Sequence, residues 1–206
     1  VALLTTSANL FAVHPSVPAR NLRELIALAK ARPGQLTYGS AGVASASHLA
    51  GELLNSMAGI KITHIPYKGA APASVDLVGG HIDLLSNSAS IVGPLIRSGK
   101  VRALAVSGSA RLPMHPAVPT LRETGAAALE LESWFGFFAP ARTPAAELAR
   151  WRAEFARAAQ SPDVMERFEK AGGRPMAVIG EDARALLRRD LERWVPLMRA
   201  AGLQPE

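Results

Sequence analysis

Tyr38-Gly39-Ser40-Ala41-Gly42-Val43-Ala44-Ser45-Ala46-Ser47-His48-Leu49-Ala50 is the stretch on which the fold turns. Leu36 to Gly39 reads as a short strand, and the small and hydroxyl residues after it as a tight loop. Leu49, Leu53 and Met57 then mark one side of a helix that begins at once. A strand feeding a helix through so few residues is the repeating unit of α/β folds. The first turn of such a helix leaves backbone N–H groups without partners, and its end carries a partial positive charge. Small residues let a ligand come close and Ser hydroxyls add donors, so the arrangement suits a carboxylate or a phosphate. The same residues also have a purely structural reading, in which Ser45 or Ser47 caps the helix and Gly42 serves the turn.

Outward from this loop the elements alternate. Residues 1–13 read as a strand, with Leu10, Phe11, Ala12 and Val13 as a buried run broken by His14-Pro15. Asn21 with Glu24 three residues on gives a capping-box pattern for a helix that Pro33-Gly34 ends. Ile62 to Ile65 predicts a strand, and Pro72 lies near the start of a helix that stops at Gly79-Gly80. Ile82 to Leu85 predicts a strand, Ile91 to Ser98 a helix and Val101 to Val106 a strand. The expected class is therefore α/β with a mainly parallel sheet. Residues 108–129 read as a Pro-rich loop, and Leu129 to Ala139 as one extended strand through Trp134, Phe135, Phe137 and Phe138. Beyond it lie three helical patterns, starting near Thr143-Pro144, at Ser161-Pro162 and around Leu186, with Met176 to Ile179 as the one strand signal. The natural seam is at about 133–140.

Composition narrows the chemistry. The 206 residues carry no cysteine, which removes disulfides and thiolates, and 49% are apolar, enough for a proper core. No apolar run approaches the roughly 20 residues that span a bilayer. The net charge of +6 does not cluster: residues 1–132 hold 11 Lys/Arg against 7 Asp/Glu, and residues 133–206 hold 12 against 10. Interleaved signs of this kind describe solvated helix faces, and aromatics at 5% leave little for base stacking, so no nucleic-acid partner is expected. His14, His48, His64, His81 and His115 show no metal-ligand spacing, and no metal or other cofactor is expected. A Ser/His/Asp arrangement from Ser47, His48 and Asp83 lacks a Gly-x-Ser-x-Gly elbow, and Gly39-Ser40-Ala41-Gly42 is neither a dinucleotide nor a phosphate-loop fingerprint. No catalytic residue is assigned. Lys68 reads as a solvated lysine or an anion contact.

Several segments, in order along nearly the whole chain, resemble one family. They are Val13-His14-Pro15-Ser16-Val17-Pro18-Ala19, Tyr38 through Ala50, His64-Ile65-Pro66-Tyr67-Lys68-Gly69, Gly99 to Val106, Val118-Pro119-Thr120 with Glu123 and Gly125, and Trp134-Phe135-Gly136. The family is that of the periplasmic solute-binding receptors of tripartite tricarboxylate transporters, the Bug-type receptors. The resemblance implies a two-lobed clamshell of the type II periplasmic-binding-protein class, in which one loop per lobe grips a ligand carboxylate. It implies a non-enzymatic receptor, located in the periplasm, whose partners are a small organic carboxylate and the membrane subunits of the transporter. Carried onto this sequence, the expected ligand contacts are Ser40, Ala41, Gly42, Ser45 and Ser47, with His48 supporting the loop. Asn87 joins them, where many family members have an Asp, so an amino-acid ligand is not implied.

The resemblance also implies domains: 11–132 as the second, ligand-binding lobe, with 1–10 and 133–206 as hinge strands and the helical part of the first lobe. Val1-Ala2-Leu3-Leu4 has neither basic flank nor cleavage site and no initiating Met precedes it, so the N-terminal third of the family fold is expected to be missing. Helices left without a first lobe would expose Leu148, Trp151 and Phe155, an expected route to a homodimer. The alternative function is a non-binding homologue that acts as a self-associating or sensor-partner module.

Overall fold

The computed structural model describes residues 2–127, 130–170 and 172–200. Seven strands form one sheet: β1 (Ala2–Val13), β2 (Thr37–Ser40), β3 (Thr63–Pro66), β4 (Leu84–Ser88), β5 (Arg102–Val106), β6 (Glu132–Phe137) and β7 (Gly173–Ile179). The helices are α1 (Leu22–Ala31), α2 (Ala46–Ala58), α3 (Ala70–Gly79), α4 (Ala89–Arg97), α5 (Ala145–Ala159), α6 (Pro162–Lys170) and α7 (Glu181–Ala200).

The long first strand organises everything else. Its second half, Asn9 to Val13, lies between β4 and β5, in the order β3-β2-β4-β1-β5. Its first half, Ala2 to Ala8, lies between β6 and β7. All four of those pairings are antiparallel, whereas β2 is parallel to both β3 and β4. Six strands thus run one way and β1 alone runs against them, which refines the expected mainly parallel sheet to a mixed one. Each of β2 to β5 is reached through a helix, the connection that lets these strands share one direction.

Alternation along β1 divides the core. Phe11 and Val13 face a cluster with Leu22, Leu25, Leu53 and Leu54 of α1 and α2. Leu10 and Ala12 face the other side, against Ala73, Leu77, Ala89 and Val92 of α3 and α4. Around the first half of β1 the buried cluster shrinks to Ala2, Leu4 and Ala159, with Phe155, Phe168 and Ile179 packed on it.

Three expectations change at this end of the chain. Phe155 is not an exposed dimer contact: it is half-buried and stacked on Phe137, with ring centroids 4.5 Å apart. The expected strand Leu129–Ala139 contracts to Glu132–Phe137, and Leu129 itself lies outside the described residues. β7 begins three residues before Met176, because Gly173, Arg174 and Pro175 pair with Ser7, Thr6 and Thr5 in a stretch whose Gly and Pro hide it from sequence reading.

Candidate functional site

Chain order places one point of the sheet apart. From β2 the chain turns through α2 to β3 on one side, and from β4 it passes through α4 to β5 on the other. β2 and β4 are neighbours, paired in parallel at Tyr38 with Leu84 and Gly39 with Leu85. Their carboxyl ends therefore flank the crevice where connections diverge, the usual ligand position in open α/β sheets. The loop 40–45 lies on one side of it, and Ser86-Asn87-Ser88 on the other.

The loop holds its shape through its own side chains. Ser45 is the N-cap of α2: its Oγ accepts from the His48 N–H at 3.3 Å and donates to the Gly42 carbonyl at 2.7 Å. The Ser47 hydroxyl accepts the Ala41 N–H at 2.9 Å and lies 3.0 Å from Ser45 Oγ. Ser40 is fully buried, with its Oγ 2.6 Å from His64 Nε2 and bonded to both the amide and the carbonyl of Gly42. The Ala44 N–H donates to His48 Nδ1 at 3.1 Å, although Ala44 stands at φ +61°, where an L residue is strained. Gly42, at φ +135°, takes a conformation closed to other residues. Behind the loop the next connection is sewn on, Tyr67 and Gly69 donating to the carbonyls of Ser40 and Ala41.

This network consumes some donors and spares others. Among the described residues the amides of Val43, Ala46 and Ser47 have no protein acceptor, and they sit at the positive end of α2. Across the crevice, Ser86 Oγ and Asn87 Nδ2 are buried without a partner, while Asn87 Oδ1 accepts the Ser88 amide at 2.8 Å. Unpaired buried polar atoms are costly and rare, so two in succession at the strand end next to this loop make the crevice a candidate site.

Beneath the loop His48 and His64 stack face to face, ring centroids 3.7 Å apart and 9° from parallel, with Tyr38 stacked on His64 at 4.9 Å. Burial pushes the His48 imidazole below its usual range, against the pull of Glu52. Burial and then the neighbouring His48 push His64 down to about 4. The Tyr38 hydroxyl donates to Glu52 Oε1 at 2.5 Å, and burial raises its pKa.

Of the residues expected from sequence, Ser40, Ala41, Gly42, Ser45, Ser47 and His48 come together in one loop, and Asn87 lies at the neighbouring strand end. Sequence reading missed Ser86 and His64. The signal for Ser86 was polar Ser86-Asn87-Ser88 closing the strand pattern Ile82 to Leu85; His64 stands in a segment that carries the family resemblance, but nothing local points to its partner 24 residues back. A cavity of about 480 Å³ lies elsewhere, between the first half of β1, Leu112 to Met114 and the start of β7. Arg174 pairs with Glu132 there at 2.8 Å, and none of the buried unpartnered side-chain atoms lines it, so the crevice is the stronger candidate.

The chain is 34% identical over 189 residues to the protein BugT of Bordetella pertussis, covering 92% of this chain and 58% of BugT. A protein from the tcbD-tcbE intergenic region of Pseudomonas sp. strain P51 is 34% identical over 199 residues, 96% of this chain and 59% of that one. The chain spans about three fifths of the length of these relatives. Among solved structures, R. palustris Rpa4515 with adipate superposes with a TM-score of 0.92 at 31% identity, over 100% of this chain and 69% of that chain. MatC from Rhodopseudomonas palustris with bound malate gives 0.85 at 30%, over 96% and 68%. Residues 1–203 match the sequence model of the tripartite tricarboxylate transporter family receptor, and the chain belongs to that family.

Proposed function

We propose that this chain supplies the carboxylate-gripping lobe of a periplasmic solute-binding receptor that delivers a small organic acid to the membrane subunits of a tripartite tricarboxylate-type transporter. The observation that carries the reading is the pairing of free amides at Val43, Ala46 and Ser47 with the unpartnered Ser86 Oγ and Asn87 Nδ2 across one crevice. One carboxylate oxygen pair accepts from the α2 amides, helped by the helix end, and a hydroxyl or second carboxylate engages Ser86 and Asn87. Ser45 and Ser47 set the loop's free edge, while Ser40, Ala41, Gly42 and His48 hold it from behind. Support comes from relatives solved with adipate and with malate. Residues 11–132 form the gripping second lobe in this reading, and 1–10 with 133–206 belong to the hinge and the first lobe.

Thermal unfolding against mono-, di- and tricarboxylates and acidic amino acids tests it. At about 100 times the dissociation constant a ligand stabilises the fold by ~2.7 kcal/mol, a rise of several degrees in Tm for a chain of this size. A selective rise that the Ser45→Ala/Ser47→Ala double variant loses is the expected result. A flat response across the panel overturns the reading.

A second reading has its own observation. Phe135, Phe137 and Phe138 are 55%, 54% and 61% exposed, with Trp151 at 40% near by in sequence on α5. In this reading that face pairs with a second copy of the chain. Sedimentation velocity over a concentration series, with Phe135→Ser/Phe138→Ser as the control, separates a dimer from a monomer.

A further inference from the structure

We propose that the stacked His48–His64 pair is a proton-controlled clamp, which holds the candidate binding loop in its receptive shape while neutral and releases it when His48 is protonated. The ligand readout of this proposal rests on the reading above, whereas the clamp itself can be observed without ligand.

The decisive bond runs from the Ala44 N–H to His48 Nδ1, at 3.1 Å. An imidazole nitrogen accepts only through a free lone pair, so His48 must be neutral with its proton on Nε2. Ala44 is the one described non-glycine residue with positive φ, and this bond lies directly on it. Protonated Nδ1 would turn a donor toward a donor. The strained residue would then lose its tie, and the amide of Val43 before it and those of Ala46 and Ser47 after it would lose their common orientation.

His64 is the ring that a proton on His48 keeps neutral. It lies on β3, its ring 3.7 Å from His48 and nearly parallel, so one charged ring opposes a second. Its Nε2 is also tied to Ser40 Oγ, which accepts from the Gly42 N–H and bonds the Gly42 carbonyl. One stack therefore anchors the loop at two points, through Ala44 and through Ser40. From β2 the pair is faced by Tyr38, and from α2 by Glu52, one turn beyond His48. Glu52 is the acid that favours protonation, and its carboxylate already accepts from the Tyr38 hydroxyl.

The sign follows from burial. Both imidazoles resist the proton in the folded loop relative to an exposed imidazole of pKa about 6.5. The clamp is complete above that value and is lost as pH falls through the depressed range. The loop should therefore hold a carboxylate at neutral pH and let it go in acid.

The ligand-free protein is titrated by NMR from pH 7.5 to 4. The expected result is a His48 Nε2–H tautomer and a protected Ala44 amide at pH 7.5. That protection and the loop amide shifts should then be lost together as His48 titrates below the ordinary range. An Nδ1–H tautomer, a freely exchanging Ala44 amide at pH 7.5, or loop shifts that stay put while His48 protonates overturns the proposal. Adipate and malate affinities are then measured at pH 7.5 and 5 for the wild type and for His48→Gln, which keeps an acceptor that does not titrate. The wild type should weaken about tenfold more than His48→Gln, the comparison cancelling the ligand's own titration. Equal weakening in both proteins counts against the clamp. Failure of both acids to bind at pH 7.5 counts against the proposed ligands, and the tautomer and amide data still decide the clamp.

Discussion

The two ends of β1 sit in unlike surroundings. From Asn9 onward the strand is buried on both faces, under α1 and α2 on one side and α3 and α4 on the other. Before Asn9 it is flanked by β6 and β7, its apolar cluster has three fully buried members, and four large aromatics near it stay exposed. In the first region the unmet needs are polar: free amides, Ser86 and Asn87. In the second, Arg152 Nε on α5 apart, they are apolar. A dense core can hold a polar crevice rigid enough to discriminate ligands, whereas a thin one leaves hydrophobic surface that asks for covering. The two proposed roles, holding a small polar solute and pairing with a second copy, thus draw on different ends of one strand.

The largest test of this contrast compares truncations. Leu54, fully buried on the inner face of α2, should cost about 2–5 kcal/mol as Leu54→Ala in urea unfolding. Phe138→Ala should stay within about 0.5 kcal/mol despite removing more atoms. Equal costs would break the comparison. Next comes Gly51→Ala, whose methyl would fall within the Tyr38 ring behind the loop. Overpacking there should cost about 1–3 kcal/mol and disturb the loop amides in NMR spectra as well. Ser45→Ala removes the cap of α2 and should cost about 1 kcal/mol by thermal unfolding. Smallest is Glu154→Gln on α5, which loses an exposed pair with Arg157 and should change stability by about 0.3–0.5 kcal/mol, an effect abolished by salt. A larger loss there would mean that the second region depends on its surface charges.

Sequence made the first region legible because its signals are local. Asn21 accepts the Glu24 amide at 2.9 Å as the capping pattern requires, and Gly79-Gly80 ends α3 with Gly80 left-handed. The Ser-rich loop could be placed at a helix start for the same reason, since Ser45 caps its own chain three residues on. Contacts at long range were not legible. The tie between Ser40 and His64, the reversal of β1 and the pairing of Thr5 with Pro175 depend on strands distant in sequence. The polar run Thr5-Thr6-Ser7 in β1 looks like surface until β6 and β7 flank it. Phe155 reads as an exposed residue of an amphipathic helix, and only the position of Phe137 shows what covers it.

The register of β1 also sets a timetable for biosynthesis. Ala2 pairs with Ile179 and Leu3 with Val178, so β1 waits for a partner strand made roughly 170 residues later. At translation rates of roughly 5–20 residues per second, that delay is on the order of ten seconds. Asn9 to Val13 can find β4 and β5 well before then, once residue 106 has emerged. The nascent chain therefore passes through a stage in which a finished core carries an unpaired apolar strand end, the kind of surface that recruits chaperones and seeds misassembly.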